Sequence, residues 1–167
     1  MRKEIANIRE FRRSIRRDIE GIKKILKDAA FKAMDEAIEY VADESKVWSG
    51  SFVCSNRIGV NEKNAAAPTD LKRWDPTDTN PKYPIKVTKE EETAVRVKAT
   101  SEMKADLRLK RKEIQPFGQL HMTNRIEYAD AANAWSGDVY TRAARVADLA
   151  AEKEFKHANS IDKNSHL

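Results

Sequence analysis

The chain has 167 residues, 40% apolar and 35% charged, with a formal net charge of +5. That suits one domain with a single modest core, or a subunit that completes itself against neighbours. No apolar run approaches the roughly 20 residues that span a bilayer, and no secretory apolar segment opens the chain, so the expected place is the cytoplasm where it is made. The single cysteine, Cys54, excludes an internal disulfide framework and a Cys-based zinc site, and reads as a small buried apolar residue.

The first predicted element is a helix over residues 1–44. Ile5, Ile8, Phe11, Ile15, Ile19, Ile22, Leu26, Ala29, Ala33, Ala37 and Val41 recur in steps of three or four, the period of one helix face. No Pro interrupts it, and Gly21 costs only about 1 kcal/mol against Ala. At 1.5 Å per residue the rod is roughly 60 Å long. Its charge is one-sided: Arg9, Arg12, Arg13, Arg16, Lys23, Lys24 and Lys27 flank the apolar stripe. The first 28 residues hold ten Lys and Arg against five Asp and Glu, so the whole basic excess lies here. Such a flank is either a solvated edge of the core or a surface for nucleic acid or an acidic protein.

After a tight Ser-Gly-Ser turn, a first strand is predicted from Phe52 to Val60. Residues 61–86 hold four of the five prolines (Pro68, Pro76, Pro81, Pro84) and form a loop far longer than the usual 4–6 residues or so. Alternation of Thr93, Val95, Val97 and Ala99 with Arg96 and Lys98 predicts a strand over 92–100, preceded by the solvated run Glu90-Glu91-Glu92. Residues 103–114 fit a strand or a short helix. Gln119 to Arg125 reads as a strand and 126–134 as a short helix. Asp138 is a candidate N-cap for a final, alanine-rich helix over 138–156, followed by a polar, frayed tail at 157–167. The expectation is one α+β domain: long N-terminal and C-terminal helices packed on a small antiparallel β-sheet drawn from 47–125, with a long Pro-containing loop.

Chemistry is thinly represented. The three histidines, His121, His157 and His166, lack ligand spacing, and no phosphate-binding Gly loop is present. No catalytic residue, metal or cofactor is therefore expected. The helix flank and the run Arg108-Leu109-Lys110-Arg111-Lys112 could neutralise phosphates without reading sequence. Aromatics do not interleave with either, and no nucleic-acid-binding motif appears.

Two short segments carry a resemblance. Ser49-Gly50-Ser51-Phe52-Val53-Cys54-Ser55 resembles a pattern of Ser or Thr, Gly, any residue, Leu or Phe, two further residues and Ser. That pattern follows the N-terminal helix of the tailed-phage head–tail joining or tail-completion proteins. Thr123-Asn124-Arg125-Ile126-Glu127-Tyr128-Ala129 resembles the same family's asparagine followed by a Tyr-Ala pair, and the order of elements is similar. The chain departs from the pattern at Asn133, where the family carries an acidic residue, at the late Gly137, and at Ser51, a position often basic.

The resemblance implies a homo-oligomeric ring, commonly sixfold, at the neck of the virion around the DNA channel, assembled in the host cytoplasm. It implies a head-side connector or stopper and a tail terminator or tube as neighbours, genomic DNA in the lumen, and no membrane. The long loop would project into the lumen or onto a neighbouring ring. The candidate contacts are the basic residues Arg9, Arg13, Arg16, Lys23 and Lys27. The candidate turn and subunit-edge residues are Ser49, Gly50, Phe52, Ser55, Asn124, Tyr128 and Ala129. Gly50 allows a sharp exit from the helix, the Ser and Asn side chains can bond free backbone groups, and Tyr128 suits a half-buried edge. Ordinary turn chemistry and core packing would use the same residues. A free nucleic-acid-binding protein using the basic helix is the alternative function.

Overall fold

The computed structural model describes residues 2–73, 75–80 and 84–164, with the side chains of 7–158 within those ranges. The helical period at the N-terminus is realised in full as α1, Arg2–Glu44. Two side chains close its free C-terminal carbonyls, which have no partner within the helix. Ser45 Oγ donates to Val41 O at 2.5 Å, and the Arg96 guanidinium donates to Ala42 O and, at 2.6 Å, to Asp43 O.

The rest of the chain packs on the second half of α1. A helical turn, α2 (Ser51–Cys54), leads into β1 (Asn56–Val60). An irregular stretch follows up to α3 (Lys89–Leu109), and a 3-10 turn at Lys110–Lys112 ends that helix. Then come β2 (Leu120–Asn124), α4 (Ala129–Trp135) and α5 (Val139–Asn164). α1 packs against α5 and α3, with α5 running back along it: Arg142, near the start of α5, pairs with Glu44 at 3.9 Å and lies over the Tyr40 ring. Ala29, Ala37, Ile38, Val41 and Ala42 of α1 are buried with Val139, Ala143 and Ala150 of α5, and Ala99, Met103 and Leu107 of α3 close the core. The many alanines let the α1 and α5 backbones approach closely.

The sheet is a single antiparallel pair, β1 with β2, in the register Asn56↔Asn124 to Val60↔Leu120. The opposite edge of β1 faces α3, where Ile58 N–H donates to Asp106 Oδ2 at 3.0 Å. That covers an edge otherwise open to pairing with another chain.

Three expectations are corrected. The strand expected from Phe52 begins only at Asn56, because Ser51–Cys54 coil into α2. The strand expected over 92–100 is the first half of α3. Thr88 caps it in a capping box with Glu91: Glu91 N–H donates to Thr88 Oγ1 at 3.2 Å, and Thr88 N–H donates to the Glu91 carboxylate at 2.8 Å. The run Glu90-Glu91-Glu92 is thus a helix first turn, where the macrodipole favours negative charge. The buried positions Ala99, Met103 and Leu107 lie at helical spacing, while Val97 of the apparent alternation is 65% exposed.

The third correction concerns α5, which continues to Asn164, past the predicted end at Lys156 and into the segment read as frayed. The side chains of 159–164 and all of 165–167 lie outside the described residues, as do Pro81 of the loop and the side chains of Glu4 and Ile5. Asp138, with φ 57°, does stand at the N-terminus of α5. Its carboxylate accepts from Thr141 and, at 2.9 Å, from Asn133 Nδ2, which holds it below the usual carboxylate range.

Candidate functional site

The two segments that carry the family resemblance meet in space. Asn124, at the end of β2, donates through Nδ2 to Phe52 O of α2 at 2.7 Å and accepts the Ile126 N–H at 3.1 Å. Its paired residue Asn56 is buried and donates to Phe52 O and Val53 O at 3.3 and 3.0 Å. The Tyr140 hydroxyl of α5 donates to Asn56 Oδ1 at 2.6 Å. Burial pushes that hydroxyl up to about 12, against an opposing hydrogen bond from Asn124. α2, both strands and α5 are therefore joined by one amide pair, buried at Asn56 and half-buried at Asn124. Removing a partner from such a network leaves a desolvated polar group, at a cost of roughly 1–3 kcal/mol.

The serines of the motif face the irregular segment. Ser55 Oγ donates to Thr69 O at 3.0 Å and accepts Thr69 N–H at 2.9 Å, while Ser51 Oγ accepts Leu71 N–H at 2.7 Å. Ser49 Oγ lies 3.2 Å from Ser51 Oγ. Arg57 adds bonds to Thr69 Oγ1 and to Cys54 O, both at 2.7 Å. The serines thus hold the loop onto the body as well as shaping the turn. Gly50 has φ +87°, and a Cβ there would lie 3.0 Å from a Val95 methyl carbon, so both backbone shape and space select glycine. Phe52 is buried with its ring 6.0 Å from that of Tyr140. Cys54 is buried, and desolvation raises its thiol above the ordinary value.

Beside this junction lies a cavity of about 460 Å³ between α2 and α4, lined by Val47, Trp48, Phe52, Tyr128, Ala132 and Trp135 among others. Ser49 and Gly50 also line it, so four of the motif residues reach its wall. Trp48 and Trp135 stand 6.3 Å apart at 60°. Trp48 Nε1–H donates to Pro84 O at 2.6 Å, which fixes its ring. Ala129 is half-buried at the start of α4, its N–H donating to Ile126 O at 3.0 Å. Asn56, Trp48, Trp135 and Tyr140 are the site residues that sequence reasoning did not single out.

The basic candidates lie far from this junction. Every residue from 7 to 24 of α1 is exposed, so this part of the helix forms an arm, with Glu20, Lys23 and Lys24 at its root beside Gln115 and Pro116. Arg9, Arg13 and Arg16 are exposed there without an ion pair among the described residues. Lys23 pairs with Glu20 at 2.8 Å, and Lys27 is half-buried at the arm's root. The apolar stripe of the arm is exposed too: Ile8 53%, Phe11 66%, Ile15 40%, Ile19 45% and Ile22 57%. The basic run after α3 is divided. Lys110 pairs with Asp106 at 3.0 Å, Arg111 lies over the Phe31 ring and 3.3 Å from Asp28, and Arg108 is exposed.

Among the described residues no group of His, Cys, Asp and Glu could hold a metal ion, and no helix is long and apolar enough to cross a membrane. Comparison of the chain with protein-family models, with curated proteins and with solved structures finds no match.

Proposed function

We propose that this chain is a structural, non-catalytic subunit of a ring at the phage head–tail interface, joining the head connector to the tail around the DNA channel. The observation that carries this reading is the arm of α1. Five large apolar side chains lie along one exposed face of a helix whose continuation buries the same face in the core. A contiguous apolar face of that kind marks a protein–protein contact. A ring supplies the missing surface from the adjacent copy, in a head-to-tail contact that closes on itself.

The meeting of the Ser49–Ser55 segment with Asn124 supports the family resemblance, since these residues then act as one unit that shapes the subunit. The basic flank of Arg9, Arg13 and Arg16 would face an acidic adjoining ring, a connector, stopper, terminator or tube protein, or DNA in the lumen. A second reading, a free nucleic-acid-binding protein, is favoured by the same three exposed arginines, which are unpaired among the described residues.

Mass measurement and electron microscopy of the full chain, alone and with the products of its neighbouring genes, separate the two. Rings, or entry into rings with those partners, are expected. A monomer that binds duplex DNA tightly with a steep salt slope would replace the ring with the second reading. Charge reversal in Arg13→Glu with Arg16→Glu is expected to weaken assembly or DNA retention. If both stay unchanged, the flank is plain solvated surface.

A further inference from the structure

We propose that the cavity between α2 and α4 docks an acidic segment of a partner protein, which lays one large apolar side chain against the paired rings of Trp48 and Trp135. This occupant is independent of whether the chain forms a ring.

Two features define it. The first is the interior. At about 460 Å³ the cavity falls in the size range of ligand pockets, roughly 300–1,000 Å³. Its walls are the aromatic rings of Trp48, Phe52, Tyr128 and Trp135 with Val47 and Ala132. The serine hydroxyl at its edge, Ser49, already lies 3.2 Å from Ser51 Oγ. A polar group placed inside would lose water and find little to replace it, so the part that enters is apolar. Trp and Tyr are also enriched at the centre of protein-binding hot spots, and here Trp48 and Trp135 remain 40% and 46% exposed.

The second feature is the rim. Lys46 and Lys72 line the cavity, their ammonium groups 5.2 Å from the Trp135 centroid and 5.3 Å from that of Tyr128, while Lys86, outside the lining, stands 5.7 Å from the Trp48 centroid. Among the described residues only Lys72 meets a carboxylate, Asp70 at 3.8 Å. Lys46 lies at the exit of α1, and Lys72 and Lys86 lie at two points of the irregular stretch before α3. An apolar cavity with lysines on its wall is complementary to an apolar side chain flanked by carboxylates. Lysines standing over three different rings are matched by more than one carboxylate, which a peptide supplies and a single small acid does not. The same rim charge disfavours the basic arm of a second copy as occupant.

The test uses the full chain and a fluorescein-labelled peptide with a central Phe flanked on both sides by Glu, read by anisotropy. Binding is expected, and roughly tenfold weaker or worse with Gly in place of the central Phe. A loss of similar size is expected in Trp135→Ala and in Lys46→Glu with Lys72→Glu. Ala131→Trp, at an exposed position of α4 on the cavity wall, should block the peptide without touching the core, which guards against a misfolded Trp135→Ala. Arg13→Glu with Arg16→Glu should bind the peptide as the parent chain does.

Several outcomes overturn the proposal. Absence of binding at millimolar peptide would do so. So would equal binding of the Gly peptide, or a loss in the arm variant, which would mean simple attraction to the arginines. Phenylacetate displacing the peptide at comparable concentration would make the cavity a site for a small aromatic acid. Dissociation of a homo-oligomer by the peptide would give the cavity to a second copy.

Discussion

The two halves of α1 share one apolar spacing and differ in what lies against it. From Ala29 to Ala42 the stripe is buried under α5 and α3, while from Ile8 to Ile22 it faces solvent. The residues differ in size accordingly. The packed half uses Ala29, Ala37 and Ala42 with Ile38 and Val41, as a close helix–helix approach requires. The exposed half uses four isoleucines and a phenylalanine. Large side chains need holes in a facing surface to fill, and among the described residues these stay exposed. One helix thus serves as scaffold at one end and leaves its apolar face exposed at the other.

The sharpest way to test this contrast is to weaken each half separately. Leu107→Ala removes a fully buried side chain that α3 sets against the packed half, and should cost about 2–5 kcal/mol in denaturant unfolding. A smaller effect is expected at the amide junction. Tyr140→Phe leaves Asn56 Oδ1 without its hydroxyl donor and should cost roughly 1–3 kcal/mol. The Tyr140 hydroxyl also makes stability depend on pH. Its folded value, about 12, lies above the ordinary value of 10, so the neutral form is the one that the fold prefers. That contribution is fully present below pH 10 and is lost as pH rises towards 12. The phenylalanine variant should lose this part of the alkaline unfolding, as followed by circular dichroism.

The smallest effect belongs to the arm. Ile15→Ser should change the stability of the isolated chain by less than about 0.5 kcal/mol, because the side chain is already in water. Its effect should appear instead in the mass of the assembled form. A stability loss like that of Leu107→Ala would mean that the arm packs on its own body, and the contrast would fail.

What could be read from the sequence divides by range. α1 was legible because its period persists over many turns, and β2 and α4 were legible from their local breaks. α3 was misread because Thr93, Val95, Val97 and Ala99 imitate a strand for a few residues. The stripe that decides the matter, Ala99 to Leu107, crosses the point where the reading had placed a boundary. The capping box at Thr88 and Glu91 was the local signal that pointed to a helix. α2 is too short to show a period. The amide junction was only half visible: Asn124 stood out through the resemblance, but its partners Asn56 and Tyr140 are set by strand register and by the return of α5. The cavity depends on Trp48 and Trp135, which are distant in sequence and come together only once α4 is placed.

The irregular stretch between β1 and α3 is held chiefly through its main chain. Ser55 bonds both the N–H and the carbonyl of Thr69, Ser51 takes the N–H of Leu71, Trp48 reaches the carbonyl of Pro84, and the Val87 N–H returns to Trp48 O. Groups common to every residue cannot distinguish one side chain from another, apart from the amide hydrogen that proline lacks. The body therefore dictates the path of this stretch while leaving most of its residue identities unread. A substitution there that keeps the main chain free to bond should leave the fold of the body as it is.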